Sequence, residues 1–218
     1  MNVARGLERR LERIVEGLAA KLFRGSVQPA ELATRLVREA DLSLTDGPAG
    51  PVAPNLFGVR MNRADLGAED APTEIGDELA RAVGETAIER GWRLEGRVVV
   101  EVTSDAKMAS GKLDIASSVA PTSLTPWARL ISANGDPLDV APNRCLVGRG
   151  DDCDVVIRSD STSRYHSLLW REAGKTWVAD LESSNGTLRN GVLVMEPVEV
   201  TDGDTLTFGE AAFKFRVA

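Results

Sequence analysis

From Leu146 to the chain end, apolar runs too short for helices alternate with turn-forming residues, and this punctuation confines that part of the chain to an all-β fold. The stretch reads LVGRGDDCDVVIRSDSTSRYHSLLW and, further on, VADLESSNGTLRNG. Gly148-Arg149, Ser163-Arg164-Tyr165-His166, Ser184-Asn185-Gly186 and Asn190-Gly191 fall between the apolar segments. Asn185-Gly186 and Asn190-Gly191 are turn dipeptides that tolerate positive φ. Gly148 lets the backbone bend where a side chain would cost conformational freedom.

The residues at these turns suit a phosphate ester. Phosphothreonine carries about −1.5 to −2 charge near neutral pH and offers three strong acceptor oxygens. A site for it needs a fixed cation, hydroxyl donors and backbone N–H groups on rigid loops. Arg149 brings a guanidinium able to grip two oxygens, Ser163 a short hydroxyl, and Arg164 a second cation.

The ordered motif GR…SxxH…(S/T)NG…NG resembles that of forkhead-associated (FHA) domains, β-sandwich modules that read phosphothreonine. The resemblance implies that Arg149, Ser163, Arg164 and Ser184 touch the phosphate and that Asn185 holds the phosphopeptide backbone. Gly148, His166 and Gly186 take supporting places in the same pattern, with His166 bracing the loops by hydrogen bonding. Asn190-Gly191 reads as a plain hairpin turn.

His166 is the one histidine in the chain. A metal site needs further histidines or clustered cysteines, and a hydrolase triad would come with a GxSxG elbow; the sequence has neither. It also lacks a P-loop and a GxGxxG dinucleotide motif. The expectation is therefore a non-enzymatic protein without cofactor or metal. Cys145 and Cys153 form no CxxC and read as small buried hydrophobes in a reducing cytoplasm.

In a chain of 218 residues, 43% hydrophobic content can build a core, and 27% charged residues keep the surface wet. No apolar run approaches the ~20 residues that span a bilayer. The N-terminal arginines Arg5, Arg9, Arg10 and Arg13 are not followed by a signal-peptide core. A net charge of −7 weighs against general nucleic-acid binding.

The small, polar, proline-containing segment 116–126, ASSVAPTSLTP, reads as a linker between domains at 1–115 and 127–218. The first domain opens with an amphipathic helix marked by Leu7, Leu11, Ile14, Leu18 and Leu22. A second helix starts near Pro29 and carries Leu32, Leu36 and Val37 on one face. Leu56 to Met61 follows as a strand. A third helix begins near Pro72, carries Ile75, Leu79, Val83 and Ile88, and stops at Gly91. Arg97 to Val102 reads as the central strand of the sheet, and Lys112 to Ile115 as its hairpin partner. The class is α+β: an α-α-β-α-β-β layer, with helices on one face of a three-stranded sheet, joined to an all-β sandwich.

The run GLERRLERIVEGLAAKLFRGSVQPAELATRLVREAD, followed by VAPNLFGVRMN and ERGWRLEGRVVVEV, resembles the N-terminal domain of actinobacterial FhaA-type proteins. Family members hold a long linker at this junction, where the present chain has only about ten residues. The resemblance implies a cytoplasmic adaptor in serine/threonine kinase signalling around cell-wall synthesis and division, recruited to the inner face of the membrane by its partners. It implies docking onto a PknB-like kinase or onto the phosphorylated pseudokinase domain of a lipid II flippase. Thr122 and Thr125 in the linker are candidate phosphoacceptors, and the N-terminal domain is a candidate surface for self-association. The alternative is an RNA-binding or ribosome-associated protein acting through residues 1–115. A KH-type RNA site would need a GxxG loop joining two helices and a basic groove, whereas the basic residues of the first helix alternate with Glu8, Glu12 and Glu16.

Overall fold

Pro29 opens a helix at a position where a missing N–H removes no intrahelical bond, so the chain can turn directly into α1 (Pro29–Leu42). The computed structural model describes residues 27, 29–67 and 71–218. The helix read from Leu7 to Leu22 lies outside them. The chain divides into two units: residues through Asp46 with Pro51–Thr122, and Gly47–Gly50 with Ser123–Ala218.

In the first unit, α1 is followed by β1 (Val52–Ala53), β2 (Leu56–Met61), a 3-10 turn (Arg63–Asp65), α2 (Ala71–Glu89), β3 (Arg93–Leu94), β4 (Val99–Ser104) and β5 (Leu113–Ser118). Burial alternates along β2 and β4, so the sheet has one covered face. That face packs Phe57, Val59, Met61, Val100 and Val102 against Leu32, Leu36, Ile75, Leu79 and Val83 of the helices. Helices on one face of a three-stranded sheet is the expected layout.

The strand order differs from the expected one. β2 is central, with β4 parallel on one side and β5 antiparallel on the other. The valine-rich strand is thus an edge, and the strand after it pairs with β2 rather than with it. The cause lies in the Asp105–Lys112 loop, which must pass the end of β2. The fully buried Asp65 carboxylate accepts the Ser110 hydroxyl at 2.6 Å and the Gly111 N–H at 2.8 Å, and Asn62 Nδ2 donates to Met108 O. Those bonds carry the loop across and set β5 on the far side. β1 and β3 form a separate parallel pair that hydrophobic patterning gave no sign of.

The segment read as linker is also shorter than expected, because β5 runs on to Ser118. The buried Asn55 then ties the chain beyond it. Its Nδ2 donates to Ala120 O at 3.0 Å and Arg97 O at 3.2 Å, and its Oδ1 accepts the Ala120 N–H at 2.9 Å. Thr122 Oγ1 accepts the Arg97 N–H at 3.0 Å, so this threonine is not part of a loose tether.

The second unit is a sandwich of a five-stranded and a six-stranded sheet. Its strands are β6 (Ala128–Ser132), β7 (Pro137–Val140), β8 (Arg144–Gly148), β9 (Val155–Val156), β10 (Ser167–Glu172), β11 (Lys175–Asp180), β12 (Thr187–Arg189), β13 (Val192–Leu193), β14 (Val198–Val200), β15 (Thr205–Phe208) and β16 (Ala211–Val217). One sheet runs β14-β11-β10-β8-β9 and the other β13-β12-β15-β16-β6-β7. Val147, Leu169 and Val178 from the first meet Leu130, Leu206, Phe208 and Phe215 from the second in one core. Cys145 and Cys153 are both buried.

Candidate functional site

Apart from Asn190-Gly191, which turns between β12 and β13, the motif residues lie in or beside three loops at one end of the sandwich, over 149–154, 157–166 and 181–186. Strands β8, β10 and β11 are neighbours in one sheet, so the loops at their ends are brought side by side. Backbone bonds fasten the first loop to the second: Arg149 N–H donates to Ser163 O at 2.9 Å, and Gly150 N–H to Arg164 O at 3.1 Å. Gly148 has its reason here. A Cβ on it would stand 2.1 Å from Arg164 O, so close approach of two backbones, rather than a bend, demands glycine. Cys153 Sγ donates to the same carbonyl at 3.0 Å.

The third loop is fastened to the second through serines. Ser163 Oγ accepts the Ser184 N–H at 3.0 Å and lies 3.5 Å from Ser184 Oγ. Asn185 Nδ2 donates to Ser161 O at 2.7 Å, while its Oδ1 has no partner among the described residues. Gly186 has φ +78° and carries the chain out of this turn.

His166 joins the assembly from beneath. Its ring is fully buried, edge-on to Phe208. Nδ1 accepts the Ser163 N–H at 3.0 Å, which leaves the proton on Nε2 to donate to Gly186 O at 3.1 Å. Burial pushes the imidazole below its ordinary pKa. A second proton would set an N–H against the Ser163 N–H. The Ser163 hydroxyl points to Ser184 and not to the ring, so in this arrangement the histidine is no base for that serine.

Sequence reading missed the support under the third loop. Asp180 accepts the Ser183 N–H at 2.8 Å, the Ser183 hydroxyl at 2.7 Å and the Thr187 hydroxyl at 2.5 Å. Burial alone would raise this carboxyl, but the bonds from Thr187 and Ser183 hold it below its ordinary value. Aspartate is a residue whose side chain closes turns by bonding nearby backbone, and that was the available signal. Also missed was Tyr165, whose hydroxyl donates to the Asp152 carboxylate; that bond lowers the carboxyl and raises the phenol.

Arg149 and Arg164 are exposed and make no ion pair among the described residues, whereas nearby Arg158 pairs with Asp151 at 2.7 Å and Arg189 with Asp204 at 2.8 Å. Two unpaired guanidiniums thus flank the loops that carry two hydroxyls 3.5 Å apart, on a chain of net charge −7. This arrangement can hold a dianionic ester by charge-assisted hydrogen bonds. Thr122 and Thr125 lie away from these loops in sequence; Thr125 is exposed.

Residues 5–116 match the family model described as FhaA, N-terminal domain, and residues 145–209 match that of the FHA domain. Among curated proteins, the chain is similar to the transcriptional regulatory protein EmbR of Mycobacterium tuberculosis. The two are 26% identical over 156 residues, which make up 71% of this chain and 37% of EmbR. It is similar to the FHA domain-containing protein FhaB of the same species, with 30% identity over 82 residues, 38% of this chain and 53% of FhaB. The chain therefore spans well under two thirds of either relative. Among solved structures, the FhaA FHA domain complexed with the intracellular domain of Rv3910 is matched over 41% of this chain and 97% of that one, at 26% identity and a TM-score of 0.37. Among the described residues, no helix is long and apolar enough to cross a membrane.

Proposed function

The chain belongs to the family defined by the FhaA N-terminal domain and carries an FHA domain, and from that premise we propose that it is a non-enzymatic phosphothreonine adaptor in bacterial serine/threonine kinase signalling. The observation that carries this reading is the unpaired Arg149 guanidinium, on a loop bonded to that of Ser163, whose hydroxyl meets Ser184. FHA domains are modules of phosphothreonine-dependent interaction, and the residues at this chain's loops supply the cations and hydroxyls such a ligand requires. On this reading the adaptor works in the cytoplasm, at cell-wall synthesis and division, with a PknB-like kinase or a phosphorylated pseudokinase domain as partner; the match to the FhaA N-terminal domain supports it. Thr125, exposed in the segment 123–126, is the phosphoacceptor we assign on the chain itself.

Titration of the full chain with a degenerate phosphothreonine peptide library, beside its phosphoserine and unphosphorylated versions, tests the reading. Micromolar binding is expected for phosphothreonine alone, weakening as salt rises. Arg149→Ala is expected to cost about 2–5 kcal/mol, the range for truncating one partner of a desolvated charge pair. That is roughly thirtyfold or more in Kd. Unchanged affinity in this variant removes Arg149 from the site, and no binding by the parent chain removes the function.

A further inference from the structure

The hairpin that leaves the phosphate-binding loops is apolar where its fold does not require it. β12 and β13 turn back at Asn190-Gly191 on the edge of the six-stranded sheet. Val192, Leu193, Val194 and Met195 follow, and of these only Val194 enters the core, at 4% exposure. Val192, Leu193 and Met195 stand 71%, 50% and 84% exposed. The other large hydrophobic side chains exposed in this unit are Tyr165 and Val217, so three of its five gather here. Its other tight hairpins carry polar tips, Glu172-Ala173-Gly174-Lys175, Ser132-Ala133-Asn134-Gly135-Asp136 and Gly209-Glu210.

The patch is continuous with the phosphate site. Leu193 Cδ1 lies 2.7 Å from where a Cβ on Gly186 would stand, and Gly186 follows Ser184-Asn185 directly. Val194 N–H donates to Thr187 O at 2.9 Å, which fixes the strip beside that turn. Clustered exposed aliphatics beside a polar site mark a contact surface. A second copy of the chain is a poor occupant, because two molecules of net charge −7 repel.

Resting on the phosphothreonine reading, we propose that Val192, Leu193 and Met195 form a second contact surface for the same ligand and take aliphatic side chains from the segment that flanks the phosphothreonine. The charged loops then select the phosphate, and the hairpin selects among phosphorylated segments by the burial of apolar surface.

Two degenerate libraries with a fixed phosphothreonine test this against the full chain, one with flanks drawn from Gly, Ser and Asn, the other from Leu, Ile, Val and Met. The parent chain is expected to bind the aliphatic library about tenfold more tightly, a difference of about 1.4 kcal/mol. Combining Val192→Ser with Met195→Ser, both at exposed positions, is expected to erase that gap and leave the polar library's affinity in place; Met195→Ser alone narrows it. Equal affinity of both libraries for the parent chain, or a gap that survives the double variant, overturns the proposal and leaves the phosphothreonine reading standing. Failure of both libraries to bind the parent chain ends that reading and this proposal with it. A double variant that sediments as a smaller species while its library gap persists assigns the hairpin to self-association, which also overturns the proposal.

Discussion

A Cβ on Gly148 would stand 2.1 Å from the Arg164 carbonyl oxygen, so replacing this glycine must move either β8 or that carbonyl. Gly148→Ala is expected to destabilise the sandwich by about 1–3 kcal/mol, the usual cost of overpacking. It should also weaken phosphopeptide binding, because the displaced carbonyl belongs to Arg164. Denaturant midpoints and titration of the same sample check both. His166 gives a pH dependence. Its folded pKa is depressed below the unfolded 6.5 by burial, so below that pH the unfolded chain binds more protons than the folded one. Its contribution to stability is therefore full above pH 6.5 and declines as pH falls from there towards the folded value. Unfolding free energies at pH 7.5 and 5.5 should differ in the parent chain and differ less in His166→Gln; an unchanged difference assigns the effect to another group.

At the scale of elements, the short strands of the sandwich and the loops between them were legible because turn residues and apolar runs alternate without ambiguity. The five residues proposed for the ligand carry a signal only as an ordered set, since each one alone is an ordinary turn residue. Strand order in the first unit was not legible. Hydrophobic patterning marks β4 as a strand but does not say which neighbour it takes; polar side chains outside the strands, Asp65 and Asn62, decide that. The Asp180 support was missed for the same reason: it holds a loop rather than filling a core. The exposed face of the first sheet sets Arg60 against Asp114 and leaves Glu101 beside Gly58, so it offers no basic platform for nucleic acid. The chain beyond β5 divides the two threonines. Both are exposed, but Thr122 Oγ1 accepts the Arg97 N–H at 3.0 Å, whereas Thr125 has no partner among the described residues. In vitro phosphorylation followed by mass-spectrometric mapping should find phosphate on Thr125 in preference to Thr122.

For the whole molecule, two units with separate cores make stability and recognition separable. Asn55 is fully buried and bonds Arg97 O and both backbone groups of Ala120. Asn55→Ala strands those groups, which should cost the first unit on the order of 2 kcal/mol or more. Phosphopeptide affinity should stay where it was, since sites that share no partners act additively. Calorimetry beside titration checks the pair, and a fall in affinity would show that the units are coupled. The solitary imidazole has a practical corollary. With one histidine in 218 residues, the carbon-bound ring protons give one pair of resonances per molecule and no assignment problem. Because that ring bonds the loops on both sides of the proposed phosphate site, those two lines amount to an intrinsic spectroscopic gauge of occupancy, readable without a label, a tag or a substitution.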